Sequence, residues 1–322
     1  MTIPLPPGQS PYITPAMLQS GSWPTGISWN SLPPGRTVTD AQRLAAAANV
    51  AAQATTECDA FCNQPLRSGF ATEFFSGPGD SAARVTIQAP GTCRILLQRF
   101  AVMQVTQVKV SPNAVFPRQW IPLPADTAFP EYPPITPYNS NAPGAGGQGG
   151  QSVIIAPGYI SWAMGRSGYR IQVTYLHGWP HTALTAAVSA GATALTVDDC
   201  TGWSLTSDGN DGAGSENDGA GVLYDSGSQE AVSVTAASVP AGPGTLTLAA
   251  PLQFAHSPGV MCSALPQDII WAAALFASSA ALTRGATATT VEVSPGRASP
   301  GGDGAGLRKR AMALLSPYRR TI

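Results

Sequence analysis

The chain has 322 residues, 43% of them hydrophobic and only 11% charged, with 34 Gly and 30 Pro. That apolar share is ample for packed cores and excludes wholesale disorder, yet so many Gly and Pro cannot sit inside helices or central strands, so much of the chain is turns, arms and loops. Seventeen basic against eighteen acidic residues leave a net charge of −1, which excludes a globally basic nucleic-acid binder.

Residues 1–38 read as an extended arm. Pro4, Pro6, Pro7, Pro11, Pro15, Pro24, Pro33 and Pro34 block regular helix. The arm lacks the basic and apolar regions of a signal peptide. It carries Trp23 and Trp29, which need something to pack against, either their own subunit or a neighbour. A helix follows. Thr39 and Gln42 form a capping box. Leu44, Ala48, Ala51, Thr55, Cys58 and Cys62 then recur in steps of four and three as one stripe, and Asn63 and Pro65 stop the helix.

From 66 to 180 the chain reads as strands and loops. Phe70–Phe75, Arg84–Gln88, Arg94–Gln98, Val102–Val110, Val153–Ala156 and Tyr169–Leu176 are rich in β-branched and aromatic residues. Pro122–Gly150 is a long Pro/Gly loop. Residues 181–263 differ, with eight acids and no Lys or Arg. Strand signals recur at Ala194–Val197, Gly221–Tyr224, Glu230–Thr235 and Thr245–Leu248, which predicts an inserted all-β module. A second helix opens at Leu265-Pro266-Gln267-Asp268. It is apolar nearly all round, so it is buried or sits in an interface, and Trp271 and Phe276 are its candidate interface residues. Its apolar run, Ile269–Leu282, is shorter than the roughly 20 residues of a membrane span. A Gly/Ser/Pro stretch leads to a last helix, Leu307–Leu315.

Signals for catalysis are weak. Gly144, Gly146 and Gly149 fit G-x-G-x-x-G but lie in a Pro/Gly loop with no helix after it, so a loop is the better account. His177 and His181 are separated by Gly178 and Pro180, which preclude a shared helix face for zinc. Cys58 and Cys62 share a helix face and read as small buried residues. Asp208-Gly209-Asn210-Asp211-Gly212 lacks the calcium-loop spacing and reads as a solvated acidic loop. Five sparse cysteines argue against a disulfide framework and for a reduced intracellular origin. The expectation is no enzyme, no metal and no cofactor.

The order of elements resembles the head–tail adaptor (connector) proteins of tailed bacteriophages. The likeness rests on Cys58–Leu66 at a helix end, Val173–Trp179 as a strand ending in an aromatic-x-x-Gly pair, Leu265–Ile269 opening the second long helix, and Leu315–Arg320 at the end. It covers roughly 40–180 and 264–322. Ala192–Val197 and Gln253–Gly259 are similar to β modules inserted in phage structural proteins. The fold class expected is α+β: a small helical adaptor core with antiparallel strands (39–180 and 264–322), an inserted all-β module (181–263) and a long N-terminal arm (1–38). The resemblance implies a homo-oligomeric ring, usually twelvefold, in the virion neck, assembled in the host cytoplasm. It sits between the portal protein and a tail-side neck or tail-completion protein, with DNA passing through the lumen without sequence-specific binding and no membrane involved. The alternative is a host-surface or carbohydrate-binding β-module protein, with Trp203 as an aromatic platform.

From residue 284 onward seven basic residues face two acids. Pro317 is expected to turn the chain outward. Such a basic patch suits either DNA in the channel or an acidic neighbouring protein; the adaptor resemblance implies that a C-terminal segment engages the portal, so Leu315, Tyr318, Arg319 and Arg320, with Arg308 and Arg310, are the expected portal contacts, and Trp23, Trp29, Trp271 and Phe276 the expected subunit contacts.

Overall fold

A computed structural model describes residues 10–19, 39–76, 84–88, 92–112, 119–130, 152–157, 169–203, 219–225, 227–283 and 304–319. It combines helices with antiparallel sheets, and the chain divides into two compact units. One unit runs to Leu66 and resumes at Pro180; the other is Arg67–Trp179.

The first unit holds four described helices: α1 (Pro15–Gln19), α2 (Asp40–Cys62), α3 (Gln267–Thr283) and α4 (Gly304–Leu315). Thr39 caps α2 and both bonds of its capping box with Gln42 are made, at 3.0 and 3.3 Å. Asn63 ends the helix in the left-handed region, φ 56°, and returns its N–H to Ala60. The buried stripe of α2 is Ala47, Val50, Ala51, Ala54, Thr55, Cys58 and Cys62. Leu44 and Ala48, expected on that stripe, are exposed, because the covered face of α2 is the one that carries Ala47, Val50 and Ala54. Helices α3 and α4 pack on α2. Alanine on the facing surfaces lets the helices approach closely, so small side chains still fill the space between them.

Among the described residues of 181–263, six strands pair only with one another: β9 (His181–Ala183), β10 (Ala194–Val197), β11 (Ala220–Tyr224), β12 (Glu230–Ala237), β13 (Gly244–Leu248) and β14 (Met261–Ser263). Their order is β10-β13-β12-β11-β14-β9. The two ends meet: Leu184 bridges Val197, Thr185 N donates to Thr196 O at 2.9 Å, and Asp198 N donates to Ala183 O at 3.1 Å. The sheet is thus a small closed barrel, and closure leaves no open edge for stray pairing. Leu195, Val197, Trp203, Leu223, Val234, Leu246 and Leu248 fill its interior. Because β9 pairs with β14, the barrel's entry and exit strands lie side by side.

In its described residues the second unit is a sandwich of two four-stranded sheets. Its strands are β1 (Gly69–Ser76), β2 (Val85–Gln88), β3 (Thr92–Leu96), β4 (Val102–Pro112), β5 (Ile121–Pro122), β6 (Ala128–Pro130), β7 (Ser152–Ile155) and β8 (Tyr169–His177). The sheets run β1-β8-β4-β5 and β2-β3-β7-β6. Both contribute to one core, with Phe75, Val108, Val110, Ile171, Val173 and Tyr175 from the first and Val85, Cys93, Ile95, Val153 and Ile155 from the second. The start of the expected 122–150 loop is structured: β5, a 3-10 turn at Ala125–Thr127 and β6 occupy it. Pro122 and Pro130 fit there because both strands are sheet edges, where a missing N–H costs no ladder bond.

Candidate interaction sites

The arm is fastened to its own chain at residues 10–19. Thr14 caps α1, and Pro15 stands at its first position. Tyr12 and Ile13 are fully buried. Tyr12 N donates to Thr55 Oγ1 at 2.9 Å, and its hydroxyl donates to Asp59 while accepting from Leu66 N at 3.0 Å. Ser10 donates to Asp198 of the barrel. Pro11 O lies 2.9 Å from His181 Nε2. A carbonyl only accepts, so Nε2 carries the proton, and in the neutral ring Nδ1 accepts from Ser263 Oγ at 2.9 Å. A Ser–His pair therefore exists, but both residues are buried, with Pro11 and Tyr12 of the arm against the imidazole. Trp23 and Trp29, the expected arm contacts, lie outside the described residues.

The C-terminal expectations need correction. Leu315 is fully buried and Tyr318 is 7% exposed, both within their own chain. Ser316–Tyr318 forms a 3-10 turn that folds Tyr318 inward instead of turning the chain out at Pro317. Burial, then the charge of Asp268, pushes the Tyr318 hydroxyl up to about 12. Both side chains pack within their own chain rather than standing out from it. Arg308 is also engaged at home: it donates to Glu57 at 2.6 Å and its guanidinium stands 5.5 Å from the centre of the Phe276 ring. Arg319 is exposed and stands 5.3 Å from the centre of the Phe61 ring. Arg310 is exposed beside Lys309, and Arg320 lies outside the described residues. Phe276, expected in a subunit interface, is buried, with α2 and α4 covering α3; Trp271 is half-buried. The all-round apolarity of α3 therefore reflects its central place among the helices of its own unit.

Among the described residues of the barrel, buried His256 stands between two partly buried carboxylates. His256 Nδ1 lies 3.1 Å from Asp225 Oδ2, and Nε2 lies 2.7 Å from Glu230 Oε1. Glu230 also accepts N–H bonds from Gln253 at 2.8 Å and Phe254 at 3.4 Å. Burial pulls the Glu230 carboxyl up, but the Gln253 N–H and His256, with the Phe254 N–H, outweigh it and hold it below the usual carboxylate range. The two imidazole nitrogens point away from each other, so the three groups clamp a loop and do not chelate. No group of three or more His, Cys, Asp or Glu able to hold a metal occurs among the described residues. Asp199 organises the next turn, accepting from Thr201 and from Gly242 N. Trp203, the expected aromatic platform of the alternative reading, is buried in the barrel core.

The described cysteines are buried free thiols. Burial pushes Cys62, Cys93 and Cys262 up to about 12, far from the thiolate state that reacts or ligates. In the sandwich, Glu73 accepts from Arg84 at 3.2 Å, from Gln98 N at 2.6 Å and from the Tyr175 hydroxyl. His177 is buried with no hydrogen-bond partner for Nδ1 among the described residues. Desolvation, aided by the charge of Arg99, lowers its pKa to about 4.

Sequence reasoning missed the outer face of the sheet β1-β8-β4-β5. Phe70, Thr72 and Phe74 alternate outward along β1, and Phe70 and Phe74 are 49% and 57% exposed. The Trp120 ring lies 5.8 Å from that of Phe74. Register places Phe74 opposite Gln172, and Gln172 opposite Lys109, on the same face; Arg170 follows two residues from Gln172. The signal was the alternation of Phe70, Thr72 and Phe74, which marks a face but not which face is covered. No helix among the described residues is long and apolar enough to cross a membrane. No protein-family model, curated protein or solved structure matches this chain.

Proposed function

We propose that this protein is a structural head–tail adaptor of a tailed phage. It forms a ring beneath the portal, twelvefold as the resemblance implies, and the tail-side neck or tail-completion protein attaches below. The observation that carries the reading is the helix trio. The two parts of the resemblance, at opposite ends of the chain, come together because α2 packs on α3 and α4. The capped helix and the Pro-started helix thus share one compact unit, which supports the reading, while the strands of 67–179, expected in the same adaptor core, make a compact unit of their own. A conduit for DNA gains nothing from gripping phosphate, and a net charge of −1 suits that task.

The portal contact then falls on the exposed cations of the last segment, Arg310 and Arg319, with Arg320 beyond the described residues. Purified protein mixed with portal-bearing heads is expected to co-sediment with them and to add a ring of density below the portal in electron micrographs. Heads lacking portal should retain none. Equal retention by both kinds of head, or by neither, would overturn the reading.

A further inference from the structure

We infer that the outer face of the sheet β1-β8-β4-β5 docks on the acidic barrel of a second copy of this chain. The inference deepens the ring reading by naming the subunit contact. The face exposes Phe70 and Phe74, carries Trp120 against Phe74, and places Lys109 and Arg170 beside them. An aromatic patch rimmed by cations, about half exposed, is a surface that gains from being covered.

Charge selects the occupant. The sandwich segment, 67–179, has eight Lys/Arg against four Asp/Glu, while 180–263 has eight Asp/Glu and no Lys or Arg. Described acids of the barrel such as Asp225 and Glu230 are hydrogen-bonded within it, yet their charge still contributes to its field. Two barrels repel each other, as do two sandwiches, whereas barrel and sandwich attract. The two patches differ, so the contact is head-to-tail, and repetition of a head-to-tail contact closes into a ring when the rotation allows.

The chain has two lysines, Lys109 and Lys309, which makes the contact readable by zero-length carboxyl–amine cross-linking. Mixed isotopically heavy and light copies, free and bound to portal-bearing heads, should yield heavy–light links from Lys109 to carboxylates within 180–263. A Phe70→Ser/Phe74→Ser variant should lose those links and require an assembly concentration about tenfold higher or more, with its circular-dichroism spectrum retained and only a modest fall in melting temperature, since both side chains are about half exposed. Lys109→Glu, which leaves the aromatic patch intact, should raise the assembly concentration in the same direction, and added salt should weaken wild-type assembly.

Assembly of the Phe70/Phe74 variant at the wild-type concentration would overturn the inference. So would links from Lys109 confined to one copy, or a wild type that never associates, free or on heads. Copies that link through Lys109 yet ignore portal-bearing heads would uphold this contact and defeat the adaptor reading. Protein that binds heads while the variant assembles normally would do the reverse.

Discussion

At the scale of single residues, the first unit is held by polar groups that join segments far apart in the chain. The Tyr12 hydroxyl links the arm to Asp59 in α2 and to the backbone of Leu66. Tyr12→Phe removes that link while leaving the ring in place. It is expected to cost about 1–3 kcal/mol, read as a lower urea midpoint with unchanged slope. His177 gives a pH signature. Its folded pKa is near 4 against about 6.5 unfolded, so below pH 6.5 the unfolded chain binds a proton that the folded chain does not. Stability should therefore fall as pH drops from about 6.5 to about 4, and His177→Gln should flatten that slope. Glu230 acts lower on the scale. Its folded pKa is depressed, so its contribution is present above the ordinary carboxylate value and is lost as pH falls through the folded one. Glu230→Gln should reduce the loss of stability on acidification.

At the scale of elements, two short-range features govern the helix α2 and one close contact governs the barrel. Thr39 and Gln42 satisfy donors at the helix start, and Asn63 takes the left-handed conformation that ends it. Asn63→Ala should cost about 1 kcal/mol, because an alanine Cβ is crowded at φ 56°, whereas Asn63→Gly should not destabilise. Circular-dichroism melts of the two variants make the comparison. In the barrel, Gly221 sits where a Cβ would come within 2.6 Å of Trp203 Cη2 and 3.3 Å of the Ser263 carbonyl oxygen. Gly221→Ala must displace a buried indole, and an expected loss of about 1–3 kcal/mol should accompany a changed Trp fluorescence spectrum.

At the scale of the whole molecule, the C-terminal segment serves its own fold before it serves a partner. Leu315 and Tyr318 close the last turn of the helix trio's unit, and Arg308 reaches Glu57 on α2. Removing residues 316–322 should therefore lower the melting temperature by several degrees, and loss of head attachment in that truncation would not report on docking alone. Arg310→Glu is the cleaner variant. Its side chain is exposed, so melting should hold while attachment to portal-bearing heads weakens.

By itself the amino-acid sequence determined what depends on neighbours three or four residues apart, or on alternation along a strand. The Thr39–Gln42 box, the stop at Asn63, the start after Pro266 and the strand from Ala194 to Val197 all follow from such local chemistry. Only the tertiary structure decided what depends on contacts between distant segments. Which face of α2 is buried turns on where α3 and α4 lie, which is why Val50 is covered and Leu44 is not. The three-residue strands β9 and β14 are too short to show a period, and they exist because barrel closure supplies their partners. Tyr318 illustrates the same limit: an aromatic beside Pro and Arg suits an exposed anchor or a buried plug equally well, and a 3-10 turn against its own core made it the plug.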